Sequence, residues 1–307
     1  MNLFGYLLSA PNNVAFTIGR LTVQWYGLIL TSAMVLGLVC IILLGKEQKI
    51  KSDDMITLFL YIIPLAVIFA RLVYVIVRPE YFPIKSIGIK EWIENGGIGT
   101  PTPENSLINL FAIWEGGITI VGGVIGGLLG GWLFSRKYKI KFSTLADICV
   151  PVLLMCQAIG RWGNYMNQEA YGLVVTDPKW QWFPFAVYID AVGEWHLATF
   201  FYAFVINLLG ALAIYFCTRK NKVKGLAVFM YLAIYCTKRF FMEFIRLDAV
   251  KTDSGIGVTQ VAMLIGALIG VVGGILYYKH GVINLKRAEI KEEIAAAEEK
   301  AIAGKKL

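Results

Sequence analysis

The feature that most constrains this chain is a series of seven apolar runs, each close to the length of a bilayer crossing. A hydrocarbon core of ~30 Å needs about 20 apolar residues in a helix. Residues 23–44, 55–77, 117–135, 144–165, 197–217, 225–244 and 256–278 meet that length, the third and fourth with glycine and polar interruptions. Composition agrees: 57% of the 307 residues are hydrophobic and 16% charged, against about 25% charged in a soluble domain. The expected fold is an all-α integral membrane protein with seven transmembrane helices.

The loops set a direction. Segment 45–54 carries Lys46, Lys49 and Lys51; segment 136–143 carries Arg136, Lys137, Lys139 and Lys141; segment 218–224 carries Arg219, Lys220, Lys222 and Lys224. The alternate loops, 78–116, 166–196 and 245–255, are longer and poor in Lys and Arg for their length. By the positive-inside rule the basic loops are cytoplasmic, which places the N-terminus outside and the C-terminus in the cytoplasm. Loops 78–116 and 166–196 are long enough to form head and arm elements of a small extracytoplasmic region. Aromatic residues in 166–196 (KWQWFPFAVY) suit the headgroup zone. Residues 1–278 then make a transmembrane domain and 279–307 a charged helical tail. The N-terminal stretch MNLFGYLLSAPNNVAF has neither a basic region nor a small-residue cleavage site, and reads as an interfacial segment rather than a removable signal.

The net charge of +8 does not point to nucleic acid, because the basic residues flank the apolar runs instead of forming one surface. Cys40, Cys149, Cys156, Cys217 and Cys236 lie in or beside apolar runs with no C-x-x-C pair and no histidine cluster. They read as small buried residues, and no metal or soluble cofactor is expected. No internal repeat is evident, which argues against an inverted-repeat transporter.

Ionisable residues inside the runs need a reason, since each costs of order 2.5–3.5 kcal/mol in hydrocarbon. Arg71, Arg161, Lys238, Arg239 and Glu243 are such residues. Arg71, Arg161 and Arg239 lie 16, 17 and 14 residues past the starts of their runs. At ~1.5 Å per residue all three sit about 21–26 Å up, in the outer half. Glu243 is one turn beyond Arg239 on the same face, and Tyr26 is near the outer end of the first run. Each arginine alone can snorkel to the interface. Three at one level suggest a cavity holding an anion, for which the guanidinium fork suits a lipid phosphate.

The fourth run ends in GRWGNYMNQEAYG, Gly160 to Gly172. The pattern G-R-x-G-N-[FY]-x-N-x-E-x-x-G resembles the signature of the prolipoprotein diacylglyceryl transferase family. VQWYG with Tyr26, IWEGGITIVGGVIGG at 113–127 and TKRFFMEFIRLD at 237–248, with Arg239, Glu243 and Arg246, are similar to other segments of that family. Only the tail lies outside the resemblance. The chain departs from the family pattern at Val121, where His or Tyr is usual, and in HLATFFYA, where Leu197 replaces Pro and Ala203 replaces Glu while His196 and Tyr202 remain.

The resemblance implies transfer of a diacylglyceryl group from phosphatidylglycerol to the thiol of a lipobox cysteine in a prolipoprotein, releasing glycerol phosphate, in the bacterial plasma (inner) membrane. Arg161 and Arg239 would hold the departing phosphate, with Arg71 and Arg246 behind them. Glu243 and Glu169 are alternative bases for the thiol, and Tyr26 or His196 would relay or orient. Asn164 and Asn167 would bond glycerol hydroxyls or ester carbonyls, and Gly172 would let backbone approach the lipid. The departures at Val121 and Ala203 keep a catalytically silent paralogue open as an alternative. An anion transporter is a further one, disfavoured because the charges stop in the outer half. The paired glycines of the third run follow no strand and read as close helix contact, not a phosphate loop.

Overall fold

The computed structural model describes residues 13–19, 21–78, 117–246 and 257–304. Its helices are Trp25–Glu47 (α1), Ser52–Val77 (α2), Ile120–Tyr138 (α3), Phe142–Met166 (α4), Thr199–Arg219 (α5), Leu226–Ile245 (α6), Val258–Leu268 (α7) and Gly274–Gly304 (α8). A π-helical turn at Ile269–Gly273 joins the last two into one continuous rod. A helix thus lies on each of the seven apolar runs, because lipid leaves the backbone no partner but itself.

Among the described residues, five helical stretches are long and apolar enough to cross a membrane: α1, α2, α4, α5 and Thr259–Ala295. The chain is a mostly helical, multi-pass membrane protein. The remaining two helices are diluted, α3 by glycines and α6 by Lys238, Arg239 and Glu243.

Two small hairpins modify the all-α expectation. Val14–Ile18 (β1) pairs antiparallel with Leu21–Gln24 (β2), and Ala186–Ile189 (β3) with Glu194–Leu197 (β4). Residues 14–16 were expected to lie in an interfacial segment and 23–24 to open the first helix; both stretches are strand. Gly193 at φ +72° makes the second turn possible at no steric cost. Of the expected loops 78–116 and 245–255, residues 79–116 and 247–255 lie outside the described residues, as do residues 1–12.

The chain forms two compact units, Gly45–Leu145 and Met1–Leu44 with Ala146–Leu307. The first is built on α2 against α3. A Cβ on Gly122, Gly126 or Gly130 would stand 2.2, 2.1 and 2.5 Å from the carbonyl oxygens of Phe69, Leu65 and Tyr61. The three glycines lie four residues apart along one face, and they let the two backbones touch, as the glycine pairs predict. In the same unit Arg71 is buried and donates from Nη1 to Gly117 O at 2.8 Å. Thr119 caps α3, accepting from Gly122 N–H, and its own N–H bonds Ala70 O.

The second unit holds α4, α5, α6 and the β3–β4 hairpin. Asp147, buried on α4, accepts from the N–H groups of Gly225 and Ala227 at 2.9 and 3.2 Å and so caps the start of α6. Tyr165, Val187, Ile189, Ala198 and Phe200 form a core that ties the hairpin to α4 and α5, with Trp162 packed edge-on to Phe200.

Candidate active site

The signature segment occupies the last turns of α4 and the turn beyond it. After Met166 the chain reverses through Gln168 and Ala170, both left-handed at φ +49° and +56°. Such non-glycine residues are held there by surrounding bonds. Glu169 N–H donates to Asn164 O at 3.0 Å, and Thr199 Oγ1 donates to Ala170 O at 2.7 Å. The reversal returns Glu169 to Asn164, whose Nδ2 donates to Glu169 Oε1 at 2.7 Å. Arg161 Nη1 donates to Asn164 Oδ1 at 3.2 Å. Arg161, Asn164 and Glu169 are therefore one hydrogen-bonded chain, in which the amide fixes the guanidinium at one end and the carboxylate at the other. Asn167 enters through its backbone, its N–H donating to Gly163 O at 3.1 Å.

Gly163 is occupied from the other side by Tyr26: a Cβ there would stand 2.7 Å from Cδ2 of that ring. Tyr26 on α1 and Arg161 on α4 are electrostatic neighbours, and Arg161 also senses Tyr235, Arg239 and Arg246. Arg239 Nη2 lies 3.3 Å from Glu243 Oε2. This i,i+4 ion pair lacks hydrogen-bond geometry, so that buried oxygen is an unused acceptor. Three guanidiniums from α4, α6 and the end of α6 thus share one neighbourhood with a 6%-exposed carboxylate.

Gly172 fastens this neighbourhood to the hairpin. Its N–H donates to Leu197 O at 3.1 Å, it forms an antiparallel bridge with Arg246, and Leu173 N–H donates to Ile245 O at 2.9 Å. His196 is 1% exposed and its Nδ1 donates to Gly172 O at 2.8 Å, while Nε2 stands 3.8 Å from Glu194 Oε2. Its ring lies against Tyr171, so what it meets is protein. Leu197, where the family has proline, uses its N–H to bond Leu173 O at 3.0 Å, a bond proline could not donate. Ala203 is buried and Val121 exposed.

Of the residues singled out by sequence, the second unit brings together Tyr26, Arg161, Asn164, Glu169, Gly172, His196, Arg239, Glu243 and Arg246. Arg71 belongs to the first unit, where it binds Gly117 O and lies 5.6 Å from the Tyr74 ring centroid. Asn207 and Tyr235 were not foreseen. Lys238 Nζ donates to Asn207 Oδ1 at 2.6 Å and sits 4.6 Å from the Tyr235 ring centroid. A lone asparagine in an apolar run was the available signal for Asn207.

A Cβ on Gly172 would stand 2.7 Å from Leu197 Cβ and 2.9 Å from Ile245 O. Gly172→Ala is expected to cost about 1–3 kcal/mol, at roughly 2–4 °C of melting temperature per kcal/mol. Thermal unfolding of the detergent-purified protein measures it. An unchanged midpoint would show that the hairpin docks more loosely than these contacts imply.

A mostly helical membrane protein that gathers arginines beside a buried carboxylate has the equipment of a membrane-embedded group transferase. The chain belongs to the prolipoprotein diacylglyceryl transferase family, whose model matches residues 13–278. It is 32% identical to the phosphatidylglycerol–prolipoprotein diacylglyceryl transferase of Lysinibacillus sphaericus, over 88% of this chain and 93% of that protein. The protein of the same name from Ligilactobacillus salivarius is 32% identical over 91% of this chain and 96% of its own. That of Listeria monocytogenes is 33% identical over 88% and 91%.

Proposed function

We propose that this protein transfers the diacylglyceryl group of phosphatidylglycerol to the thiol of the lipobox cysteine of a prolipoprotein; the names of its relatives give phosphatidylglycerol, prolipoprotein and diacylglyceryl transfer for them. The observation that carries the reading is the shared neighbourhood of Arg161, Arg239 and Arg246. In the reaction a C–S bond forms at a glycerol carbon and the C–O bond to phosphate breaks. The electron pair leaves with the phosphate oxygen. Preorganised guanidiniums in a low-dielectric site stabilise that developing charge. The thiol proton goes to a carboxylate. Glu243 is favoured because its Oε2 is a buried acceptor without a hydrogen-bond donor, whereas Glu169 Oε1 already accepts from Asn164. Tyr26 closes the wall beside Gly163, Gly172 and His196 hold the hairpin in place, and Asn167 is left for the glycerol. Arg71 is assigned to binding lipid in its own unit.

The reading includes seven spans, an outer N-terminus, a cytoplasmic C-terminus and a site opening toward the outer leaflet of a bacterial plasma membrane. Its supports are the basic loops and the level of the arginines along their helices. Residues 1–278 would be the catalytic domain, with arms at 78–116 and 166–196, and 279–307 a cytoplasmic tail. Purified protein incubated with phosphatidylglycerol and a lipobox peptide is expected to add one diacylglyceryl mass to the cysteine, read by mass spectrometry. A folded protein that binds both substrates and adds nothing would be the silent paralogue instead.

A further inference from the structure

Lys238 sits one residue before Arg239 but on a different face of α6, in the wall of a groove of about 870 Å³ between α5 and α6. The rest of the wall is mostly apolar, with Ile206, Ile234, Phe241 and Met242 among its residues, and also includes Tyr202 and Thr237. The lysine is 6% exposed and Asn207, its partner, 0%. An ammonium only donates hydrogen bonds, so the amide must turn its oxygen toward Lys238. That leaves Asn207 Nδ2, buried and without an acceptor. Among the described residues no carboxylate pairs with Lys238, and its charged neighbours are Arg161 and Arg239. The groove wall therefore carries a buried ammonium with one hydrogen bond, made to Asn207 behind it, and mostly apolar residues around it. Unmade hydrogen bonds of this kind are costly and mark a place where a ligand belongs.

We propose that Lys238, positioned by Asn207, forms a subsite for the ester carbonyl of a glycerolipid, whose acyl chain lies in the groove beside it. The reasons are chemical. The missing partner must be an acceptor, and a hydrocarbon chain arriving in an apolar groove carries its acceptor at the ester. A transmembrane peptide helix has its carbonyls occupied internally. The volume lies within the range of sites that take small ligands, and Lys238 adjoins Arg161 and Arg239, so an ester held here keeps its phosphate within that cluster's field. The subsite rests on the transferase reading for its purpose, and it makes a finer statement: the chain recognises acyl esters, not merely phosphate and hydrocarbon.

The test compares diacyl phosphatidylglycerol with the dialkyl ether analogue, which lacks both carbonyls. Lipid binding is followed by native mass spectrometry and turnover by thioether formation on the peptide. The wild type is expected to favour the diacyl lipid roughly tenfold, the worth of one hydrogen bond to a charged donor. In Lys238→Met, and in Asn207→Leu, the ratio falls toward one, while Lys238→Arg keeps most of it. Carrying three variants guards against one that fails to fold. A wild type indifferent to the carbonyl overturns the subsite, as does a preference that survives in both Lys238→Met and Asn207→Leu. So does a defect confined to the KM for peptide, which would give the groove to the peptide. If binding shows the Lys238-dependent preference but no thioether forms, the subsite stands and the transferase reading falls. If turnover proceeds without discrimination, the reverse holds.

Discussion

Arg161→Ala lowers thioether formation by about 10²–10³-fold, the usual cost of removing one preorganised donor from a developing oxyanion, and leaves the protein folded. Arg161 is the hub through which two sets of groups meet. It bonds Asn164, and through it Glu169, while sensing Arg239 and Arg246. Its loss removes one positive charge and frees Asn164 Oδ1. Arg161→Lys retains the charge without the planar fork, so it recovers part of the rate and not all of it. Turnover on a lipobox peptide, measured on protein that elutes as a single species, is the readout. An alanine variant with undiminished rate would remove the arginine cluster from the chemistry.

Gly126→Val is expected to be the most disruptive single change for folding. The added Cβ alone would stand 2.1 Å from Leu65 O and 2.6 Å from Leu65 C, backbone atoms of α2 that cannot swing aside. The helices must separate along the whole stripe, since Gly122 and Gly130 make the same kind of approach a turn either way. The expected loss is at or above about 3 kcal/mol, the upper end for overpacking. Gly127→Ala is the control: there a Cβ meets nothing nearer than Ile62 Cγ2 at 3.7 Å. Melting midpoints that fall for the valine and hold for the alanine support the backbone contact. Equal midpoints would mean that α2 and α3 do not lie this close.

The contrast between Gly126 and Gly127 shows where sequence reasoning stops. Apolar length is a local property, so the seven runs located the helices to within three residues at every start. Glycine spacing revealed that α3 has a contact face, but not that α2 supplies the other side. Counting residues gave Arg71, Arg161 and Arg239 a common level. Level is one coordinate of three, and it carries no information about neighbours. Arg161 and Arg239 sense each other within one unit, and Arg71, in the other unit, bonds Gly117 O. His196 shows the same limit: its place just before a helix gave it a level suited to relaying or orienting, but not its partners, the Tyr171 ring and the Gly172 carbonyl. The hairpins escaped because strands of four or five residues beside an apolar run have no periodicity long enough to separate from it. Lys238 was legible as an anomaly, but its partner on α5 required the packing.

The continuous rod through the π-helical turn has a mechanical consequence. The 31 residues of Gly274–Gly304 form a lever of about 46 Å. It is fastened near its start, where Tyr277 Oη donates to Lys224 O, and at mid-length by an exposed pair between Lys222 and Glu289 that a bend would have to break. A bend of about 10° at the π-helical turn would sweep the far end by about 8 Å. A spectroscopic label on exposed Ile290, about 24 Å along the lever, would move by about 4 Å in such a bend, making this helix a natural gauge of motion in the unit that houses the arginines.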